Sequence, residues 1–209
     1  MSINLYFIGY IHGNSHFKSV DGNFFDFMGI GEFLMLESSE NNLTIQTRFT
    51  TFRPNSSAAV MIGAVFKQGS ALTVQLESQD SVLKLYVDGV HHPLPSSGTT
   101  YVISDEINSN FTDTQSNRLS DLSADLILIR RIDDQSLLIV TSSGATMQLR
   151  RLNFFMNMEG ELPCTFINKT RGLIGVFNRD HHDDYMRPDG TFLTNPNDRD
   201  IYYLFGSEC

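Results

Sequence analysis

Asn178, Asp180, Asp183 and Asp184 place four oxygen-bearing side chains within seven residues, between the apolar run Leu173 to Phe177 and a Pro188-Asp189-Gly190 turn. Carboxylates this close repel one another unless a cation or hydrogen-bond donors sit among them. Calcium takes about six to eight oxygen ligands from carboxylates, amides and backbone carbonyls, which makes a calcium loop one reading of this stretch. A solvated acidic turn accounts for the same composition equally well. His181 and His182 lie inside the loop, and imidazole beside carboxylate suits zinc or another transition metal. That combination raises an alternative function, a metal-dependent hydrolase using the His/Asp loop 178–184. The window from Asn178 to Asp189 has the length of an EF-hand loop. However, His182 and Asp183 stand where its glycine turn belongs, and no flanking helices are indicated.

Elsewhere the polar residues suggest less chemistry. His12 and His16 are four apart, but no Glu follows His12 and no helical period surrounds them, so the metalloprotease motif is absent. Asp133-Asp134 fits a hairpin turn, and His91-His92 fits a surface loop after the Asp88-Gly89 turn. No nucleophile elbow, phosphate loop or dinucleotide fingerprint occurs.

The elements that must position the acidic loop read as strands. Residues 11–37 form short β-segments broken at Asp21-Gly22 and at Gly29-Ile30-Gly31. Phe17, Phe24, Phe25, Phe27 and Phe33 are expected in the core. Leu43 to Phe49 alternates apolar and polar residues, the pattern of a half-buried antiparallel strand. Ala58 to Phe66 is continuously apolar, as in a strand covered on both faces. Leu72–Leu76, Val82–Val87 and Val90–Leu94 follow as a meander of hairpins. Between Ser96 and Asp125 the pattern weakens, with Tyr101–Ile103 a short strand in a long loop or insertion. Leu126–Ile132, Ser136–Thr141 and Thr146–Phe155 restore regular strands, and the run Leu173–Phe177 reads as a buried β-segment leading into the acidic loop. The chain is therefore expected to be all-β, an antiparallel β-sandwich of roughly a dozen short strands with little helix.

The bulk composition sets limits on function. The chain has 209 residues, 41% hydrophobic and 19% charged, enough for one large β domain or two small ones. Net charge is −9, and Lys and Arg are scattered without a basic cluster, which argues against nucleic acid or an anionic membrane as partner. No apolar run reaches the roughly 18 residues of a transmembrane helix, so direct membrane insertion by this segment is not expected. The first nine residues lack a basic start and a small-residue cleavage site, which makes them a poor signal peptide. The two cysteines, Cys164 and Cys209, are too few for a disulfide framework and show no zinc spacing; they could bridge each other or pair outside this segment. Glycosylation sequons begin at Asn42, Asn55, Asn110 and Asn168, where chance alone would supply about three in so Asn-, Ser- and Thr-rich a chain.

Two distant stretches resemble one family. His12-Gly-Asn-Ser-His-Phe-Lys-Ser-Val-Asp-Gly22 resembles the opening of a von Willebrand factor type D domain, Gly-Asp-Pro-His-Phe-x-Thr-Phe-Asp-Gly. Gly172 to Tyr185 resembles its later motif, Cys-Gly-Leu-Cys-Gly-Asn-Phe-Asn-Gly-Asp-x-x-Asp-Asp-Phe. Gly29–Glu37, Pro188–Gly190 and Tyr203–Gly206 fit the intervening and closing segments in family order. Arg171 and Ile174 stand where most relatives carry cysteine, so the chain resembles the cysteine-poor variety found in membrane-anchored mucins and sushi-domain proteins.

This resemblance implies that residues 1–209 form a single type D-like domain within a larger multidomain extracellular or cell-surface protein. It implies adhesive or structural work, with other extracellular proteins or neighbouring modules of the same chain as partners, and no enzymatic activity. It also implies a structural calcium ion held by Asp21, Asn178, Asp180, Asp183 and Asp184, which would staple two distant segments together. Val176 replaces the Asn of the common motif, so one oxygen ligand is missing and weaker affinity is expected. Some relatives cleave themselves at Asp-Pro within the opening motif. Here Gly13-Asn-Ser-His16 lacks both residues, and no cleavage is expected.

Overall fold

The computed structural model describes residues 7–97, 99–105, 112–113, 125–185 and 191. Among them the chain forms fifteen strands in one antiparallel hydrogen-bonded sheet, with a single 3₁₀ turn at Cys164–Phe166. The expected all-β class and antiparallel pairing are what the structure shows.

The backbone of the sheet runs β11-β10-β12-β13-β14-β15-β6-β7-β8-β9. Its first half comprises β10 (Thr100–Ser104), β11 (Thr112–Asp113), β12 (Leu126–Arg131), β13 (Ser136–Thr141), β14 (Thr146–Leu152) and β15 (Phe155–Leu162). Its second half comprises β6 (Ala59–Gln68), β7 (Val74–Gln79), β8 (Val82–Val87) and β9 (Val90–His92). Two branches complete it. β1 (Phe7–His12), β2 (His16–Lys18) and β3 (Phe24–Asp26) extend from β15, and β4 (Gly31–Ser38) and β5 (Leu43–Thr51) extend from β6.

The branching follows from two strands that change partner along their length. β15 meets β6 only at Met156–Met61, while its last five residues pair with β1. β6 pairs with β5 throughout and gives its Gly63–Phe66 stretch to β7 on the other edge. The sheet therefore curls over itself, and its inward side chains merge into one hydrophobic cluster drawn from both halves.

Local sequence explains the individual strands. In β5, Leu43, Ile45, Thr47 and Phe49 face inward and alternate with more exposed residues, as the period-two pattern requires. β6 is buried along most of its length, in keeping with its unbroken apolar run. Asp88 and Gly89 both adopt left-handed backbone (φ 45° and 77°), the tight turn that Asp-Gly favours between β8 and β9.

Four expectations need correcting. Leu173–Phe177 is not a strand: apart from an isolated bridge between Arg171 and Glu37, residues 172–177 run as turn and coil. Gly172 (φ 122°) and Gly175 (φ 89°) turn the chain out of the extended path, although Leu173, Ile174 and Phe177 remain buried. Phe24 is not core; it is 66% exposed, because period-two alternation turns Phe25 inward and Phe24 outward. The sequence pattern marks no strand over β1, and the expected strand Thr146–Phe155 ends at Leu152, while most of β15, beyond Phe155, carries no expected strand. Asn153 (φ 58°) closes the hairpin that divides Thr146–Phe155 into β14 and the start of β15.

Candidate metal centre

The first support of the site is the edge of β4. β4 pairs with β5 on one edge only, and its other edge, with a register irregularity between Leu34 and Leu36, presents open carbonyls. The late segment takes them: Leu173 and Ile174 donate N–H bonds to Leu34 (3.0 Å) and Met35 (3.2 Å), and Glu37 and Arg171 exchange a backbone pair. Gly172 makes this approach possible, since a Cβ there would lie 2.6 Å from the Met35 carbonyl oxygen. The β2–β3 connection provides the second support. Val20 donates its N–H to the Ile174 carbonyl at 2.9 Å, which holds the Asp21 turn against the same segment. Beneath them lies an aromatic floor. Phe25 meets Tyr185 edge-on at 5.5 Å and stacks on Phe17 at 5.1 Å. Phe17 in turn contacts Phe27 and Phe49.

On this platform Asp21 reaches across to the loop. Its Oδ2 accepts three consecutive backbone N–H bonds, from Asn178 (2.9 Å), Arg179 (2.7 Å) and Asp180 (3.1 Å). Successive amides converging on one oxygen form a backbone nest of the kind that holds anions. Arg179 holds φ at 73°, a left-handed conformation within this nest. Asn178 contributes at both ends of its amide: Nδ2 donates to Asp183 Oδ2 at 2.5 Å, and Oδ1 accepts from the Asp180 N–H at 2.7 Å. Asp184 is buried, and its Oδ2 accepts from the Ser19 hydroxyl at 2.5 Å.

These bonds leave three carboxylate oxygens unsatisfied. Asp21 Oδ1, Asp183 Oδ1 and Asp184 Oδ1 are buried and accept no hydrogen bond. Burial raises the Asp184 carboxyl from its ordinary acidic range to about 7; the Ser19 hydroxyl opposes the rise, while the charges of Asp21 and Asp183 add to it, and the Val176 amide opposes it again. The space around Asp184 depends on a missing side chain, because a Cβ on Gly175 would sit 2.2 Å from Asp184 Oδ1. Buried, unsatisfied carboxylate oxygens of like charge suit a hard divalent cation. The donor set is all oxygen, with the Asn178 amide as a neutral member, and oxygen donors are the class that calcium takes in preference to zinc or copper.

Of the residues singled out from the sequence, Asp21, Asn178, Asp183 and Asp184 come together. Asp180 differs: its side chain is exposed, its backbone N–H serves Asp21, and its Oδ1 accepts the His182 N–H at 3.1 Å. His181 and His182 are exposed, and nothing supports the hydrolase alternative for this loop. Asn42, Asn55 and Asn168 are exposed at turns, each with left-handed φ, a backbone that asparagine tolerates well. Cys164 is exposed in the 3₁₀ turn. Asn110 and Cys209 lie outside the described residues.

Sequence reasoning passed over Ser19 and Thr170. Ser19 aligns with the Thr of the opening motif, a hydroxyl two positions before the aspartate, so its signal was present. Thr170 Oγ1 donates to the Gly175 carbonyl (3.2 Å) and accepts from the Phe177 N–H (2.7 Å), tying the loop's base. It announces itself in the sequence only as part of a sequon.

A curled antiparallel domain whose early Asp-Gly turn is tied to a late Asn/Asp loop is the arrangement that the two motifs imply. The von Willebrand factor type D domain matches residues 9–191, and the chain belongs to that family. It is similar to human (Homo sapiens) sushi domain-containing protein 2, with 25% identity over 197 residues that cover 93% of this chain and 22% of that protein. It is also similar to human Mucin-4, with 23% identity over 204 residues, covering 94% of this chain and 4% of that protein. A shorter stretch of 63 residues is 38% identical to Protein mesh of Bombyx mori, covering 30% of this chain and 4% of mesh. The chain thus spans less than a quarter of these relatives' length. No helix among the described residues is long and apolar enough to cross a membrane.

Proposed function

We propose that this domain is a non-enzymatic extracellular or cell-surface module, adhesive or structural in role, clamped by a structural calcium ion. Asp21, Asn178, Asp183 and Asp184 would hold the ion by their side chains, with Asp180 contributing through its backbone. The observation that carries this reading is the set of three buried carboxylate oxygens without donors, on the Asp21 turn and on the late loop that this turn's carboxylate bonds across 157 residues of chain. Calcium bound there neutralises the crowding and supplies the partner that each oxygen lacks. It adds no chemical step, and its work is to hold the Asp21 turn against the late loop. Membership of the type D family and likeness to a sushi-domain protein and a mucin support the extracellular setting. Partners are then other extracellular proteins or neighbouring modules of a longer chain.

Thermal unfolding tests the clamp. A ligand that binds only the folded state stabilises it by about 2.7 kcal/mol at a hundredfold excess over its dissociation constant. The melting temperature is expected to fall in EGTA and return with calcium, but not with an equal concentration of magnesium, which demands a smaller, near-ideal octahedral site. An unchanged melting curve in EGTA and in millimolar calcium would sink the proposal.

A further inference from the structure

The loop that carries the buried carboxylates presents a different donor set to solvent. Asp180, His181 and His182 each offer one ligand atom, and these atoms lie within 4.8 Å of one another. Among the described residues this is the one place where three carboxylate, imidazole or thiolate groups converge in this way. The two imidazole rings sit 4.0 Å apart at an interplanar angle of 42°, so consecutive residues share one side of the turn instead of pointing apart. The backbone beneath them is held in place. The Asp180 N–H is shared between Asp21 and Asn178, and the Asp180 carboxylate is oriented by the His182 N–H.

We propose that Asp180, His181 and His182 form a second metal site, on the surface, for a divalent transition-metal ion of the zinc or copper(II) type. Ligand chemistry separates it from the proposed calcium position: imidazole nitrogen suits zinc and copper, whereas carboxylate and carbonyl oxygen suit calcium. Donors about 2.0–2.2 Å from a tetrahedral zinc lie about 3.4 Å from one another, so the present separations close by small rotations of three exposed side chains. Three protein ligands leave at least one coordination position to water, and the ion exchanges readily.

The other histidine pairs lack this arrangement. His91 and His92 are neighbours on strand β9, where successive side chains point to opposite faces. His12 and His16 face each other across β1 and β2, but His16 Nδ1 is engaged by Asp26 at 2.6 Å and the His12 ring lies 4.5 Å from Tyr10.

Isothermal titration of the intact domain with zinc chloride, in buffer holding excess calcium, tests the assignment. Wild type is expected to bind one equivalent, and the His181→Ala/His182→Ala double variant to bind at least tenfold more weakly. His12→Ala/His16→Ala is expected to titrate like wild type. The His181/His182 variant should also keep the wild-type melting temperature, with and without calcium, so that the lost heat reports missing ligands and not a collapsed loop. Zinc binding by that variant with wild-type affinity would overturn the proposal. So would loss of binding in the His12/His16 variant instead.

Discussion

At the scale of single residues, Asp184 carries the largest electrostatic cost in the site. Its carboxyl is lifted from 3.8 to about 7, chiefly by burial. In calcium-free protein the native state therefore keeps a proton that the unfolded chain releases above pH 4. The stabilisation is complete below the ordinary carboxylate pKa and is lost as pH rises through the native value. In EGTA, stability is expected to fall between about pH 4 and pH 7, by at most about 4 kcal/mol for a shift of some three units. Calcium should reverse the slope, since protons then compete with the ion. Asp184→Asn should flatten the calcium-free profile and remove the calcium response together; chemical denaturation across pH reads both effects, and a sloping profile in the variant would refute this account. Gly175→Ala acts on the same oxygen from the other side. Its Cβ has no room beside Asp184 Oδ1, and its φ of 89° is strained for alanine, so a loss of about 2–3 kcal/mol in denaturant unfolding is expected.

Among the elements, the decisive contact is the docking of residues 171–174 on the irregular edge of β4. Gly172→Ala is expected to cost about 3 kcal/mol or more, because its Cβ would press on the Met35 carbonyl, a backbone group that cannot step aside cheaply. It should also abolish the calcium response, although residue 172 holds no ion; a normal response would show that the loop is placed by other contacts. This contact marks the limit of what the sequence reveals. β5, β6, β8 and β13 are legible because alternation, burial and turn residues agree on each. The site aspartates and Asn178 are legible through their motifs. What escapes is set by backbone placement: an apolar run reads as a strand whether it pairs in a ladder or crosses a strand edge in a turn. The amide nest around Asp21 leaves no residue pattern, since any backbone can supply N–H groups. Nor does composition separate Asp180 from Asp183, and only the fold shows that one faces water.

Over the whole molecule, the proposed clamp would join the β1–β2–β3 branch to the segment that leaves β15. Removal of calcium is expected to raise amide exchange first in β2, β3 and residues 171–185, while β5, β6 and β13 stay protected; hydrogen-exchange mass spectrometry resolves these segments, and uniform loss of protection would argue against a local clamp. The 157-residue separation between Asp21 and Asn178 also governs the order of events during synthesis. At about 5–20 residues per second, Asp21 is made roughly 8–30 seconds before its amide donors are. The β1 strand waits almost as long for β15. Through that interval the first three strands have open edges and no late segment to cover them, which is the part of the chain a chaperone would have to shield. A chain halted before Asn178 never closes the clamp, so the ion would register that translation has run past that point.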